Sequence, residues 1–225
     1  MRINSIHSII QGEGTSSGIP MLMVRLQGCP LRCEFCDTPY ALDPNGGTEI
    51  PVQNVLAKIK EYNPTWVDFS GGEPLAQSDE LRWLLYQVGL LKIKTEIETS
   101  GYLPPPQWYR YLVSCWVVDW KMPSSGVKSK EINKWAYNLR SRDSIKCVVS
   151  DEDDLEFILK NKLKTKASFI ISPMVWDIKD YLGQVVIGKE QVGWIRRVAQ
   201  FCQEHNFRLS LQQHKFVWGQ ERRDV

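Results

Sequence analysis

Cys29-Pro30-Leu31-Arg32-Cys33-Glu34-Phe35-Cys36 sets three cysteines at C-x3-C-x2-C spacing, within a stretch short enough to be one loop. Thiolates packed this closely can converge on one soft metal centre. Zinc and a four-cysteine iron–sulfur cluster normally take four protein ligands. The next cysteine, Cys115, lies far along the chain in an apolar run. Three local ligands and no fourth suggest a cluster with one iron left open. Other readings stand beside it: a zinc knuckle short of one ligand, a disulfide, whose geometry such close loop cysteines rarely meet, or three unrelated buried thiols.

Outward from this loop the chain alternates short β-rich runs with helical patterns. Met21 to Leu26 is apolar and unbroken by turn residues, a buried strand feeding the cysteine loop. Val52, Val55, Leu56 and Ile59 lie on one helical face, and Trp66 to Phe69 reads as the next strand, ended by Gly71-Gly72. Leu81, Leu84, Leu85 and Val88 form another helical face, with Gly89 as its predicted stop. Lys94 to Glu98 alternates with period two; Trp116 to Asp119 and Ile145 to Val149 follow as strands. Ser150 is the expected N-cap of a helix whose first turn is acidic, which suits the positive end of its dipole. Phe169 to Ile171, a helix face of Trp194, Val198, Phe201 and Cys202, and a strand from Phe207 to Leu211 complete the series.

Six or seven βα units predict a parallel sheet with right-handed crossovers. A complete eight-fold barrel typically needs ~250 residues, so 225 residues fit an α/β fold built as a partial (incomplete) TIM-like βα barrel. Residues 1–225 read as one domain, with a connecting segment at 123–138 and a charged C-terminal tail at 215–225. Chemistry in such barrels gathers at the C-terminal ends of strands. The cysteine loop, Gly71-Gly72, Thr99-Ser100-Gly101 and Lys121 all follow predicted strands, so they should share one mouth.

Composition narrows the class. With 43% hydrophobic and 24% charged residues the chain is globular in type, and a net charge of +2 gives no long-range pull on nucleic acid or membrane. The start lacks an apolar targeting region, and no apolar run approaches a membrane span. Six cysteines without a secretory context predict reduced thiols in a cytoplasmic protein.

Further motifs carry chemistry. Gly71-Gly72-Glu73-Pro74 is a strand-end turn in which two glycines permit close backbone approach and Glu73 adds a carboxylate. Glu98-Thr99 closes another strand as a polar pair. Gln11-Gly12-Glu13-Gly14 precedes Arg25 and the cysteine loop. Asp37-Thr38 follows Cys36, and a hydroxyl beside an acid can bind a hard cation.

In this order the motifs resemble those of the 7-carboxy-7-deazaguanine synthases, a family of radical S-adenosylmethionine (SAM) enzymes in queuosine and other 7-deazapurine pathways. The resemblance runs from Gln11 to His214 and rests on Gln-Gly-Glu-Gly, Arg25 ahead of the cysteines, Cys-Asp-Thr, Gly-Gly-Glu-Pro, Glu-Thr-x-Gly and a late Gln-x-His-Lys. It implies a carbon–nitrogen lyase that converts 6-carboxy-5,6,7,8-tetrahydropterin to 7-carboxy-7-deazaguanine and ammonia. The implied cofactors are a [4Fe-4S] cluster on Cys29, Cys33 and Cys36, S-adenosyl-L-methionine, and Mg2+ on Thr38.

Carried onto this sequence, the resemblance puts Ile10, Gln11, Gly12, Glu13, Arg25, Ser70 and His214 on the substrate. It puts Phe35, Cys36, Asp37, Gly72, Glu73, Glu98, Thr99, Asp119, Trp120, Lys121, Ser172, Pro173, Met174 and Val175 on the SAM cofactor. No residue is assigned as a general acid or base. A homodimer and an electron donor such as flavodoxin or ferredoxin are implied as partners. Two departures stand out: the chain continues past His214-Lys215 to Val225, where some members end in a substrate-binding terminal carboxylate, and the segments at Asp119 and Ser172 match only through Lys121 and Pro173. Two alternatives remain: an activating enzyme that installs a glycyl radical on a protein partner, and a zinc-binding module without catalysis.

Overall fold

A computed structural model describes residues 1–108, 110–161, 163–175, 178–179, 185–186 and 188–218. Among the described residues eleven strands run in chain order: β1 (Arg2–Ile10), β2 (Pro20–Leu26), β3 (Thr48–Glu49), β4 (Trp66–Gly71), β5 (Lys94–Thr99), β6 (Cys115–Asp119), β7 (Ser144–Val149), β8 (Ser168–Pro173), β9 (Ile178–Lys179), β10 (Val185–Val186) and β11 (Arg208–Leu209). The helices are α1 (Val52–Tyr62), α2 (Ser78–Leu90), α3 (Ile132–Asn138), α4 (Glu152–Lys160), α5 (Lys189–His205) and α6 (Gln213–Trp218).

One open sheet carries the fold, in the order β11-β8-β7-β6-β5-β4-β2-β1-β3. From β2 to β11 every neighbouring pair is parallel. This is the expected partial βα barrel. It has an addition that the sequence reading did not include: β1 pairs antiparallel with β2 and extends the sheet at that edge. Polar residues recur along β1 and hide its alternation, because a strand at the sheet's margin does not need two apolar faces.

The barrel strands sort their side chains by parity. Val67 and Phe69, Ile97, Trp116 and Val118, Ile145, Cys147 and Val149, and Ile171 point to the helix-covered side and belong to one buried core. At about 25 cal/mol per Å2 of apolar surface, this layer is the main stabilising term. The opposite parity is polar: Asp68 and Ser70 on β4, Glu96 and Glu98 on β5, Asp119 on β6 and Lys146 on β7. The register sets Asp68 beside Glu96 and Asp119 beside Lys146. A concave face this charged is built for a ligand rather than for packing.

Several boundaries depart from expectation. Gly89 lies inside α2 rather than ending it; the left-handed residue after the helix is Lys92, with φ 59°. Asp151, not Ser150, caps α4, accepting from the Asp154 amide. The last strand contracts from Phe207–Leu211 to Arg208–Leu209, and the next residues lead into α6. The 123–138 segment holds a short helical turn at Pro123–Ser125 followed by α3. Buried Asp154 clamps that turn to α4, accepting from the Ser124 amide at 3.1 Å and its hydroxyl at 2.5 Å. Of the predicted tail, residues 219–225 lie outside the described residues, and with them any role for Val225.

Candidate active site

At the C-terminal ends of the strands opens a cavity of about 670 Å3, lined by Cys29, Cys33 and Cys36 together with residues from β1, β2, β4, β5, β6, β7 and α6. The cysteine loop is anchored at both ends. The Gly28 and Cys29 amides donate to the Ala41 and Leu42 carbonyls, and the Glu34 amide donates to Ser125 O. Arg32 folds back to donate to the carbonyls of Cys29 and Leu31. All three thiols are free. Burial pushes the Cys29 and Cys33 thiols up, reinforced by the neighbouring thiols; at Cys33 the Lys121 ammonium works the other way. Three thiolates crowded together need cationic charge among them, and soft donors in such a set suit an iron–sulfur cluster. The remaining cysteines, Cys115, Cys147 and Cys202, are buried elsewhere, so the donor set fits a cluster with three protein ligands.

The Gly71–Gly72 turn lines the cavity and also serves the fold. A Cβ on Gly72 would lie 2.1 Å from Gly28 O, and one on Gly71 would lie 2.2 Å from Leu26 O. The glycines let the end of β4 press against the backbone that launches the cysteine loop. The Gly72 amide donates to Leu26 O, and the Glu73 amide to Gly28 O. Glu73 itself is buried away from the cavity. Its carboxylate accepts from the Leu75 amide, the Thr99 hydroxyl, and the Ser100 amide and hydroxyl. It ties the ends of β4 and β5 together.

Gln11-Gly12-Glu13-Gly14 is the loop between β1 and β2, folded over the charged face. Gln11 Nε2 donates to Glu96 at 2.7 Å and to Glu98 at 3.0 Å. Glu13 meets Lys146 Nζ at 2.5 Å, with both side chains nearly buried. Burial alone would raise the Glu13 carboxyl, but the charges of Lys146 and His214 outweigh it and hold it down to about 2. Lys146 goes the opposite way: burial disfavours its charge, yet Glu13, Glu98 and Asp119 keep the ammonium firmly protonated. His214, on α6, is pushed down by burial, against the pull of Glu13 and Asp37.

Contact between the loop and α6 is tight, since a Cβ on Gly12 would fall 2.4 Å from His214 Nδ1 and 3.1 Å from its backbone nitrogen. Gly12→Ala should therefore displace His214 and the loop together. Because misplacement of about 1 Å can cost ~10²-fold in rate, kcat/KM should fall by that order. Steady-state kinetics beside an apoprotein melting curve checks this.

Glu98 is raised to about 7, by burial first and by Glu13 and Glu96, against the pull of Lys146. A carboxyl that binds its proton more tightly when folded stabilises the fold fully below its ordinary value. That contribution is lost as pH rises through about 7. Apoprotein melting temperatures between about pH 5 and about pH 8 should slope downward, and Glu98→Gln should flatten the slope.

The remaining expected residues divide. Ile10, Gln11, Gly12, Glu13, Arg25, Ser70 and His214 all line the cavity, as do Phe35, Cys36, Asp37, Thr38, Gly72, Glu98, Thr99, Asp119, Lys121 and Met174. Arg25 sits over the Tyr40 ring with its Nε buried and without a hydrogen-bond partner among the described residues. Thr38 Oγ1 lies 3.8 Å from Cys36 Sγ and donates to Asp37, so two hard oxygen donors stand beside the thiols and suit a magnesium ion. Lys121 is paired with Asp119 at 2.5 Å.

Four other residues join Glu73 in standing off the cavity. Trp120 packs on Phe157 and Phe169 on the helix side of the sheet. Ser172, Pro173 and Val175 are buried around the end of β8. Ser100 lines the cavity as its strand-end position predicts, and Lys146, Tyr40, Gln212 and Lys215 line it without having been assigned to it. Lys146 left a trace in the sequence: a lysine inside the run Ile145-Lys146-Cys147-Val148-Val149 has no place in a buried strand unless it is paired.

Comparisons with known proteins agree with this architecture. Residues 23–122 match the family model described as the Radical SAM superfamily. The chain is 36% identical over 221 residues to a 7-carboxy-7-deazaguanine synthase of Methanospirillum hungatei, covering 96% of this chain and 85% of that protein. It is 34% identical to one of Thermoplasma acidophilum, covering 97% and 98%. Among solved structures, QueE from Escherichia coli superposes with a TM-score of 0.68 at 21% identity, over 95% of this chain and 94% of that one. Streptococcus suis SuiB gives 0.52 at 17% identity, over 82% and 46%. These two likenesses speak to the fold.

Proposed function

Because the chain belongs to the 7-carboxy-7-deazaguanine synthase family of radical SAM enzymes, we infer that it converts 6-carboxy-5,6,7,8-tetrahydropterin to 7-carboxy-7-deazaguanine and ammonia. It is a carbon–nitrogen lyase of 7-deazapurine (queuosine) biosynthesis. The observation that carries this reading is convergence: three cysteines and the seven expected substrate residues line one cavity at the strand ends. The cluster and S-adenosyl-L-methionine, when bound, supply the 5′-deoxyadenosyl radical that starts the ring contraction.

The residues divide the remaining work. Cys29, Cys33 and Cys36 hold the cluster. Gly72, Glu98, Thr99, Ser100, Asp119, Lys121, Phe35, Asp37 and Met174 surround the space beside it and are proposed to hold S-adenosyl-L-methionine. Glu73 supports this region from behind by fixing Thr99 and Ser100. Gln11 and Glu13 offer a donor–acceptor edge to the pterin, and Arg25, whose Nε has no hydrogen-bond partner among the described residues, offers a forked donor to the substrate carboxylate. His214 closes the same end, held by Gly12. A site of buried polar groups disfavours analogues that leave them unpaired.

Thr38 and Asp37 are proposed to hold Mg2+ against the substrate carboxylate. Thr38→Ala should leave iron and sulfide content unchanged while weakening the magnesium response at least tenfold. An unaltered magnesium titration would remove that assignment.

Three further proposals concern context. A flavodoxin or ferredoxin would supply the electron. A cytoplasmic location suits reduced thiols, and among the described residues no helix is long and apolar enough to cross a membrane. A homodimer has a candidate face on α2, where Trp83, Tyr86 and Leu90 form an exposed stripe. Leu90→Glu should shift the sedimentation behaviour to monomer if that face is used.

The function is tested by reconstituting the cluster anaerobically and measuring iron, sulfide and the visible spectrum. S-adenosyl-L-methionine cleavage is then compared with and without the carboxypterin. Brown protein with substrate-dependent cleavage supports the synthase. Cleavage that answers only to a protein partner favours a glycyl-radical activating enzyme, and colourless protein containing zinc favours a non-catalytic module.

A further inference from the structure

We propose that Asp68 and Glu98 form a proton-sharing carboxyl pair in the cavity floor that moves the protons needed for ammonia to leave, Glu98 opening onto the cavity that cofactor and substrate share and Asp68 holding the proton behind it. The proposal rests on the synthase reading above.

Oxygens of Asp68, Glu96 and Glu98 lie within 4.8 Å of one another. The three are not equivalent. Glu96 is fully engaged: Oε1 accepts from Gln11, and Oε2 from Ser16 and from the Cys115 thiol. It anchors the loop above it. Glu98 accepts from Gln11, has Lys146 Nζ at 3.8 Å, and is the member that lines the cavity. Asp68 is fully buried, and neither of its oxygens has a hydrogen-bond partner among the described residues.

A buried carboxylate with no donor is costly, and two carboxylates this close do not both ionise. A single proton shared between Asp68 and Glu98 relieves both. Catalytic hydrogen bonds are often long before substrate binds, so a gap of this size is no obstacle.

The surrounding charges agree. Burial, then Glu98 and Glu96, push the Asp68 carboxyl well up, opposed by Arg25 from β2 and Lys146 from β7. Glu13 from the β1–β2 loop also faces Glu98. Asp119 on β6 faces Lys146, and His214 on α6 faces Glu13. A divalent ion fits less well, because Glu96 has no oxygen to spare and the Lys146 ammonium sits beside Glu98.

The chemistry needs such a pair. Conversion of the carboxypterin to the deazapurine removes NH3 without net oxidation or reduction, so the hydrogen atom taken at the start is returned before the elimination. As the C–N bond breaks, its electron pair leaves on nitrogen, which takes up one proton. A ring carbon gives up one proton as the double bond of the five-membered ring forms. A carboxylic acid beside a carboxylate can give the first and accept the second, ending in its starting state.

The test uses Asp68→Asn and Glu98→Gln. In the apoprotein at neutral pH, infrared spectra should contain a protonated-carboxyl C=O stretch that is missing from both variants. In the holoenzyme, substrate deuterated at the carbon bearing its carboxylate separates the radical step from the elimination. Asp68→Asn should transfer deuterium to 5′-deoxyadenosine within about twofold of wild type. Its formation of deazapurine and ammonia should fall ~10²-fold or more, and one limb of the pH–rate profile should vanish.

Unchanged product formation and pH profile in Asp68→Asn would overturn the proposal. So would equal losses of deuterium transfer and product, absence of the infrared band, or a stoichiometric divalent ion that disappears with Asp68. A wild-type enzyme that transfers no deuterium and forms no deazapurine would refute the synthase reading itself, and this proposal with it.

Discussion

Single replacement of Cys29, Cys33 or Cys36 by alanine is expected to abolish both the iron–sulfur chromophore and turnover, to the limit of detection. The structure makes the loss all-or-none. The three thiols face one cavity, and the other three cysteines are buried elsewhere, so no spare ligand can move in. The fold should survive, because the loop is held by backbone hydrogen bonds to Ala41, Leu42 and Ser125 rather than by its thiols. Iron and sulfide analysis beside a far-ultraviolet spectrum separates the two effects. Cys115→Ala is the control and should keep the chromophore. Equal loss of iron there would contradict the assignment of ligands.

Lys146→Met carries the second large effect, and it acts on stability as well as on catalysis. Removing one member of a buried ion pair typically costs about 3–5 kcal/mol, because the partner charge remains without compensation. Here the abandoned partner is Glu13, a nearly buried carboxylate that Lys146 contacts at 2.5 Å. Its carboxyl should climb from about 2 towards or beyond the ordinary range. Denaturant unfolding of the apoprotein measures the loss. Glu13→Gln combined with Lys146→Met should recover part of it, giving a coupling energy in the double-mutant cycle. Turnover should stay low in all three variants, since Glu13 lines the cavity and is proposed to face the pterin edge. Additive losses would mean that the pair is incidental.

Much of this was legible in the chain because the motifs are local. The cysteine triplet, the Gly-Gly-Glu-Pro turn and Gln-Gly-Glu-Gly each occupy a few consecutive residues, and parallel strands deliver them to one mouth. What escaped was contact at long range. Nothing near Lys146 in sequence announces Glu13, 133 residues away. Glu73 looked like a ligand for the cofactor, yet its four donors come from Leu75, Thr99 and Ser100. The turn glycines also allow backbone to meet backbone at Gly28 and Leu26, a contact that the turn motif alone does not announce.

Local competition explains smaller misses. Asp151 outcompetes its neighbour Ser150 as a cap because its carboxylate reaches the Asp154 amide at 2.9 Å. α6 escaped because the run from Gln213 to Trp218 buries none of its residues and so carries no periodic apolar signal. Strand β1 escaped because it lies beside β2 at the antiparallel margin, where the mixed burial of its residues blurs the period-two pattern.

The proposed function requires that the cavity hold a carboxypterin against a cluster-bound cofactor. It is tested most directly by mass spectrometry of an anaerobic reaction containing reconstituted protein, S-adenosyl-L-methionine, reductant, magnesium and 6-carboxy-5,6,7,8-tetrahydropterin. The expected product is lighter than the substrate by one ammonia, 7-carboxy-7-deazaguanine, with ammonia released in equal amount. Cofactor cleavage with the carboxypterin returned intact would contradict it.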